Sequence, residues 1–196
     1  SRKGFGVQVP VRTQLRWLDT AMDLASALSL IRPIRDYPKP GILFQDITPL
    51  LADSEALQRV VAEIASLDAQ SEFAIGIEAR GFILASAVAI KKEIGFVPVR
   101  KKGKLPAATY SRTYGLEYGE DEIEIHRDAL KPGCKVTLID DVLATGGTLE
   151  AAVSLVKDAG GIISSIVVLL EIADLDGRSR IEEIAPGVAI HALVTI

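Results

Sequence analysis

The sequence predicts an α/β fold in which a central parallel sheet is flanked by helices. Short, continuous apolar runs alternate along the chain with segments whose apolar residues recur at helical spacing. Strands of unbroken apolar character are what a parallel sheet covered on both faces requires. With 196 residues, 48% hydrophobic and 24% charged, the chain can bury one sizeable core.

Taken in order, Leu24, Ala27, Leu28 and Ile31 fall at helical spacing, and Pro33 ends that helix. In RDYPKPGILFQDIT, residues 35–48, Pro38, Pro40 and Gly41 predict an irregular, extended path. Asp53 or Ser54 can cap a helix whose inner stripe is Leu57, Val60, Val61 and Ile64. FAIGI (73–77) is a buried strand, 81–95 a helix closing on Gly95, and FVPVR (96–100) the next strand. KVTLI (135–139) is followed by a helix from Thr148 to about Ala159, a strand over 162–172, a short helix near 178–184 and a last apolar run, 187–196. The segment 101–120 shows no sustained period and is expected to be a functional loop, with the alternating EIEI of 122–125 after it.

A net charge of −4 argues against general binding of nucleic acid. One cysteine, Cys134, forbids an internal disulfide and fits a reducing, cytoplasmic setting. No Cys-centred motif surrounds it, so it is a small packing residue rather than a nucleophile. No run reaches the roughly 18 to 20 apolar residues of a membrane span; 82–90 comes nearest. Residues 1–21 have weak periodicity and precede the only methionine, Met22, so they are set aside as a leader, tag or arm, and 22–196 as one domain. Asp23 stands where a signal peptide would carry positive charge.

Ligands of open α/β sheets bind beyond the carboxyl ends of the strands. Three polar stretches stand there and should open on one crevice: EARG (78–81), 101–120 and DDVLATGGT (140–148). In the last, Gly146 and Gly147 permit close backbone approach. Thr145 and Thr148 add hydroxyls, and the helix that follows presents free N–H groups; together these suit a phosphate monoester. Asp140 and Asp141 repel phosphate but accept hydrogen bonds from vicinal hydroxyls. A ribose 5-phosphate unit satisfies both halves; an acidic surface turn is the competing reading. There is no GxxxxGK[ST] and no GxGxxG after a strand, and His126 and His191 have no ligand partners at short spacing.

VTLIDDVLATGGT resembles the phosphoribosyl-diphosphate signature of the type I phosphoribosyltransferases. DYPKPGILFQDIT, EARGF, RKKGKLP and LEYGEDEIEI are similar to segments of the adenine-using members, and the likeness runs from about residue 32 to the C-terminus. It implies the conversion of adenine and 5-phosphoribosyl 1-diphosphate to AMP and diphosphate, with Mg²⁺, by a homodimer. It implies the type I fold, with a five-stranded parallel core, a small hood from about 22–50 and a flexible loop at 101–120. By the same resemblance Glu78, Ala79 and Arg80 form a diphosphate loop with a non-proline cis peptide, and Arg100, Lys101 and Lys104 add charge. Asp140 and Asp141 hold the ribose hydroxyls, and Ala144, Thr145, Gly146, Gly147 and Thr148 wrap the 5-phosphate. Mg²⁺ is held by ligand oxygens and water near the aspartates rather than by protein ligands. Glu117 assists proton movement at the purine, and Tyr118 shares its loop. Leu43, Phe44 and Gln45 meet the base.

Without the resemblance, other readings stand. Arg80 is then a helix-start surface residue, the cations a solvated patch, Glu117 one of several exposed acids, and Phe44 core packing. Many relatives carry Arg where this chain has Gln45. A related enzyme for another base, or a regulator that senses phosphoribosyl diphosphate without turning it over, would share the 138–148 signature.

Overall fold

The computed structural model describes residues 22–116 and 119–196. A small antiparallel pair, β1 (Arg32–Arg35) and β2 (Leu43–Asp46), stands apart from the main sheet. The main sheet contains β3 (Phe73–Ile77), β4 (Gly95–Lys101), β5 (Thr109–Leu116), β6 (Gly119–His126), β7 (Lys135–Leu143), β8 (Ile162–Glu171) and β9 (Ala189–Thr195). Its order is β5-β6-β4-β3-β7-β8-β9. The run from β4 to β9 is parallel throughout, the five-stranded core expected, while β6 and β5 add an antiparallel ribbon at one edge.

Side chains alternate across this sheet with period two. Ala74, Ile139, Val167 and Leu169 face α3 (Ser54–Ser66) and α4 (Arg80–Lys92), packing on Val60, Ile64, Leu84 and Val88. Ile75, Ile77, Leu138, Ile166 and Val168 face α5 (Gly147–Asp158) and α6 (Gly177–Ile184), packing on Leu149, Val153 and Ile181. α3 starts as expected: the Asp53 carboxylate accepts from the N–H groups of Glu55 and Ala56, at 3.0 and 2.9 Å.

Four boundaries differ from expectation. α1 (Leu24–Leu28) stops before Ile31, and Pro33 lies inside β1, because a residue before proline favours extended backbone and β2 offers a partner for it. The supposedly irregular 35–48 therefore contains β2, and α2 (Thr48–Ala52) follows directly. α4 ends at Lys92 on a left-handed Glu93, and Gly95 instead opens β4, where a side chain would strike the Phe73 ring at 2.5 Å. β7 continues to Leu143, so Asp140 and Asp141 sit within the strand rather than after it. Pairing with β8 holds them there, with Asp140 opposite Val168 and Leu143 opposite Glu171. The segment 101–120 is not one irregular loop: from Thr109 it pairs residue by residue with β6, as in Tyr110 with Ile125 and Tyr114 with Asp121.

One close approach controls where α4 lies. A Cβ at Gly76 on β3 would stand 2.8 Å from both the Ala85 Cβ and the Gly81 carbonyl of α4. Overpacking of this kind costs about 1 to 3 kcal/mol, so Gly76→Ala is expected to lower Tm by roughly 3 to 10 °C. It should also reduce activity, since α4 carries Arg80. A variant with wild-type melting and turnover would refute this account of the seat.

Candidate active site

The order β4-β3-β7 reverses the direction of strand addition between β3 and β7, and at such a point the two following helices leave on opposite faces. α4 begins at the end of β3 and α5 beyond the end of β7, so both N-termini open on the same crevice. A cleft of about 590 Å³ lies there, lined on its several sides by residues 42–45, 78–80, 140–142, Ala144 and Thr148. A second hollow of about 60 Å³ adjoins it, enclosed by residues 142–149. The three stretches after the strands do meet.

The carboxylate pair forms the floor. Gly81 lets α4 press against β7, its absent side chain leaving the Asp140 Oδ1 within 2.9 Å of where a Cβ would be. Asp140 Oδ1 accepts from the Asp141 N–H at 2.9 Å. Burial, followed by the adjacent charge of Asp141, pushes the Asp140 carboxyl well above the usual carboxylate range. Burial also raises Asp141, against the opposing pull of Arg80. Arg80 Nη2 lies 2.9 Å from Asp141 Oδ2 as an ion pair, yet off the line a hydrogen bond needs, leaving that buried oxygen without a hydrogen-bond donor.

Arg80 also reaches β2. Its Nη1 donates to the Gln45 carbonyl at 3.2 Å, and its guanidinium lies 5.0 Å from the centre of the Phe44 ring. Phe44 meets Tyr37 edge-on at 5.1 Å and is only half-buried, with one side on the cleft, so core packing does not account for it. The Gln45 side chain is buried, and Leu43 is exposed at the rim. The Glu78–Ala79 peptide is cis, as the resemblance implied.

The cations separate. Lys101 lines the cleft, its ammonium 2.9 Å from Asp121. Arg100 turns instead to Glu78 at 3.3 Å and to the Lys104 carbonyl at 3.1 Å; neither Arg100 nor Lys104 lines the cleft. Glu78 accepts from the Lys101 N–H at 2.9 Å and thereby ties β3 to β4. In the small hollow, Gly146 has φ +81°, and Gly177 of α6 packs so closely that a Cβ there would meet the Ala144 carbonyl at 2.1 Å. The hollow is thus held to its shape from behind. Glu117 and Tyr118 lie outside the described residues.

Tyr114, Asp121, Val142 and Ile172 also line the cleft and are absent from the sequence expectation. For Tyr114 a signal existed: Tyr110, Arg112 and Tyr114 alternate as a strand opposite EIEI. The apolar pair has no signal short of the fold.

The phosphoribosyl transferase domain family matches residues 51–187. Adenine phosphoribosyltransferase of Streptomyces avermitilis is 48% identical over 171 residues, 86% of this chain and 94% of that protein. That of Parvibaculum lavamentivorans is 54% identical over 154 residues, 78% of this chain and 88% of its own. The chain belongs to the adenine phosphoribosyltransferases, of the type I phosphoribosyltransferase family. Solved adenine phosphoribosyltransferases superpose accordingly. The structure from Thermoanaerobacter pseudethanolicus gives a TM-score of 0.83 at 44% identity, covering 89% of this chain and all of that one, 100%. The Giardia lamblia structure, complexed with 9-deazaadenine, gives 0.83 at 39%, covering 89% and 98%.

The raised acid pair makes a stability prediction. A carboxyl whose folded pKa exceeds its unfolded value of about 3.8 contributes stability at low pH that is lost as pH rises. Asp140→Asn removes that loss. The ligand-free variant should melt a few degrees above wild type at pH 8 and alongside it at pH 4. Thermal scans across this range check it, and a deficit equal at every pH would contradict the assignment.

Proposed function

We propose the following division of labour in the cleft for the family's reaction, transfer of 5-phosphoribosyl from its 1-diphosphate to adenine. The observation that carries it is a cleft with a buried carboxylate pair in the middle. It has a phosphate-sized hollow at the start of α5 on one side and an aromatic, partly exposed edge of β2 on the other.

Residues Ala144 to Thr148 take the 5-phosphate on backbone N–H groups at the N-terminus of α5, helped by the Thr145 and Thr148 hydroxyls. Asp140 and Asp141 accept from the ribose hydroxyls, and the donor-less Asp141 oxygen gains one. Arg80, Lys101 and the N–H groups at the start of α4 receive the diphosphate, with Arg100 and Lys104 as further charge at the rim. The adenine ring lies against Phe44, with its edge toward the backbone of Leu43 and Gln45. Since only the Gln45 carbonyl faces Arg80 and the side chain is buried, the departure from Arg at this position leaves the base edge intact.

Mg²⁺ fits this site as an ion carried by the substrate. The aspartate pair beside the cleft supplies hard oxygens for its water shell. When bound, it neutralises charge on the departing diphosphate. As the bond from carbon 1 to the diphosphate oxygen breaks, with its electron pair leaving on diphosphate, adenine N9 forms the new bond. Glu117 accepts the proton from N7. Tyr118, in the same loop, helps exclude water from the cation-like carbon.

We also propose a homodimer. Ile83, Ala87 and Ile90 repeat at helical spacing along the outer face of α4, with Ile90 71% and Ile83 42% exposed, and Phe82 meets the 37% exposed Phe96 beside them. A stripe this apolar on a monomer marks an interface, here with a second copy. No helix of the described residues is long and apolar enough to cross a membrane. The lone buried thiol supports a cytoplasmic setting.

Diphosphate release measured with adenine, hypoxanthine and guanine in turn, with and without Mg²⁺, is expected only with adenine and Mg²⁺. Release with another base would overturn the base assignment. Glu117→Gln should lower kcat at least about a hundredfold while adenine still binds; wild-type turnover would remove Glu117 from its role. Light scattering should give twice the chain mass for wild type and the single-chain mass for Ile90→Glu, and an unchanged dimer in the variant would exclude this face.

A further inference from the structure

Tyr114 stands between the ribbon and the phosphate hollow. Its ring lies against Gly147, where the Cδ2 is 3.8 Å from the place of a Cβ and the Gly115 carbonyl is 3.2 Å away, so strand β5 lies directly over the start of α5. Its hydroxyl is 3.3 Å from Asp121 Oδ2, and Tyr114 and Thr148 line the same cleft, where the Thr148 side chain is an electrostatic neighbour of the phenol. Asp121 in turn holds the Lys101 ammonium at 2.9 Å and, through its other oxygen, accepts from the Glu122 N–H at 2.9 Å.

Counting donors fixes the direction of each bond. Although burial alone would raise it, Asp121 is held below the ordinary carboxylate range by Lys101 and the Glu122 N–H, and so it can only accept. Tyr114, raised by burial, keeps its proton and donates to Asp121, which leaves its oxygen free to accept from the neighbouring Thr148 hydroxyl. A phosphate in the hollow needs the Thr148 hydrogen for itself. The Tyr114–Asp121 bond at 3.3 Å is long for a hydroxyl on a carboxylate, normally about 2.5 to 2.7 Å, and Asp121 has Lys101 and Glu122 besides. The Tyr114 hydrogen is thus the least costly one to move. Turned to Thr148, it produces a chain Tyr114 to Thr148 to phosphate whose members strengthen one another.

We infer that Tyr114 is a positioning residue of the phosphate half-site: its hydroxyl turns from Asp121 to Thr148 when the sugar phosphate arrives and holds the Thr148 hydroxyl donating into the hollow. This rests on the reading of residues 144–148 as the phosphate loop. Tyr114→Phe keeps the ring over Gly147 and removes only the hydroxyl.

The test measures KM for 5-phosphoribosyl 1-diphosphate, KM for adenine, Kd for AMP and Tm in Tyr114→Phe, Thr148→Val and the double variant. Tyr114→Phe should raise KM for the diphosphate substrate and Kd for AMP together, by roughly three- to tenfold, the scale of one hydrogen bond. KM for adenine and Tm should stay put, and in the double variant Tyr114→Phe should add nothing to Thr148→Val. Unchanged phosphate-ligand constants in Tyr114→Phe, a parallel rise in KM for adenine, or effects that multiply in the double variant would each overturn the inference. If Thr148→Val itself leaves KM for the diphosphate substrate unchanged, the phosphate loop is misplaced and the role of Tyr114 falls with it.

Discussion

The packing of α4 onto β3 and β7, with no side chain at Gly76 or Gly81 to hold them apart, is the constraint on which the site depends. It brings the first turn of α4 against Asp140 and lets Arg80 touch three groups on two strands at once: Asp141 on β7, and the Gln45 carbonyl and Phe44 ring on β2. A methyl group at either glycine would lift the helix. Arg80 would then lose its place between the acid pair and β2, although neither glycine lines the cleft.

The electrostatics follow from that geometry. Two adjacent carboxyls are buried with one partly exposed guanidinium between them and the cleft, an arrangement that disfavours the ionised pair in the ligand-free protein. The acid pair thus carries an electrostatic cost at the cleft, a common condition of functional sites. Around the pair, two helix N-termini and Lys101 provide the opposite sign, so the cleft alternates acidic and positive regions along its length.

Much of this was legible in the chain because it depends on neighbours in sequence. The α3 stripe, the Asp53 cap and the strand–loop–helix pattern around 135–158 are local, and the observed elements start and stop within a few residues of expectation. The misread segments depend on distant partners. Pro33 looks like a helix stop until β2 pairs with it, Asp140 and Asp141 look like a post-strand turn until β8 extends the ladder, and 109–116 offers only the short alternation of Tyr110, Arg112 and Tyr114 until β6 is placed opposite. Tyr114 was missed for the same reason: its partners Asp121 and Thr148 come from two other elements.

The sequence by itself pointed to a phosphoribose-like ligand, because Asp-Asp and Ala-Thr-Gly-Gly-Thr fall together within residues 140–148 and turn chemistry acts over a few residues. Their resemblance to a family signature made that reading specific. Tertiary structure alone decided which cations face the cleft. Arg100, Lys101 and Lys104 are equivalent as text, yet β4 turns alternate side chains to opposite faces and Glu78 captures Arg100, leaving Lys101 at the cleft. Side-chain direction in a strand is set by register, and register is a property of the assembled sheet.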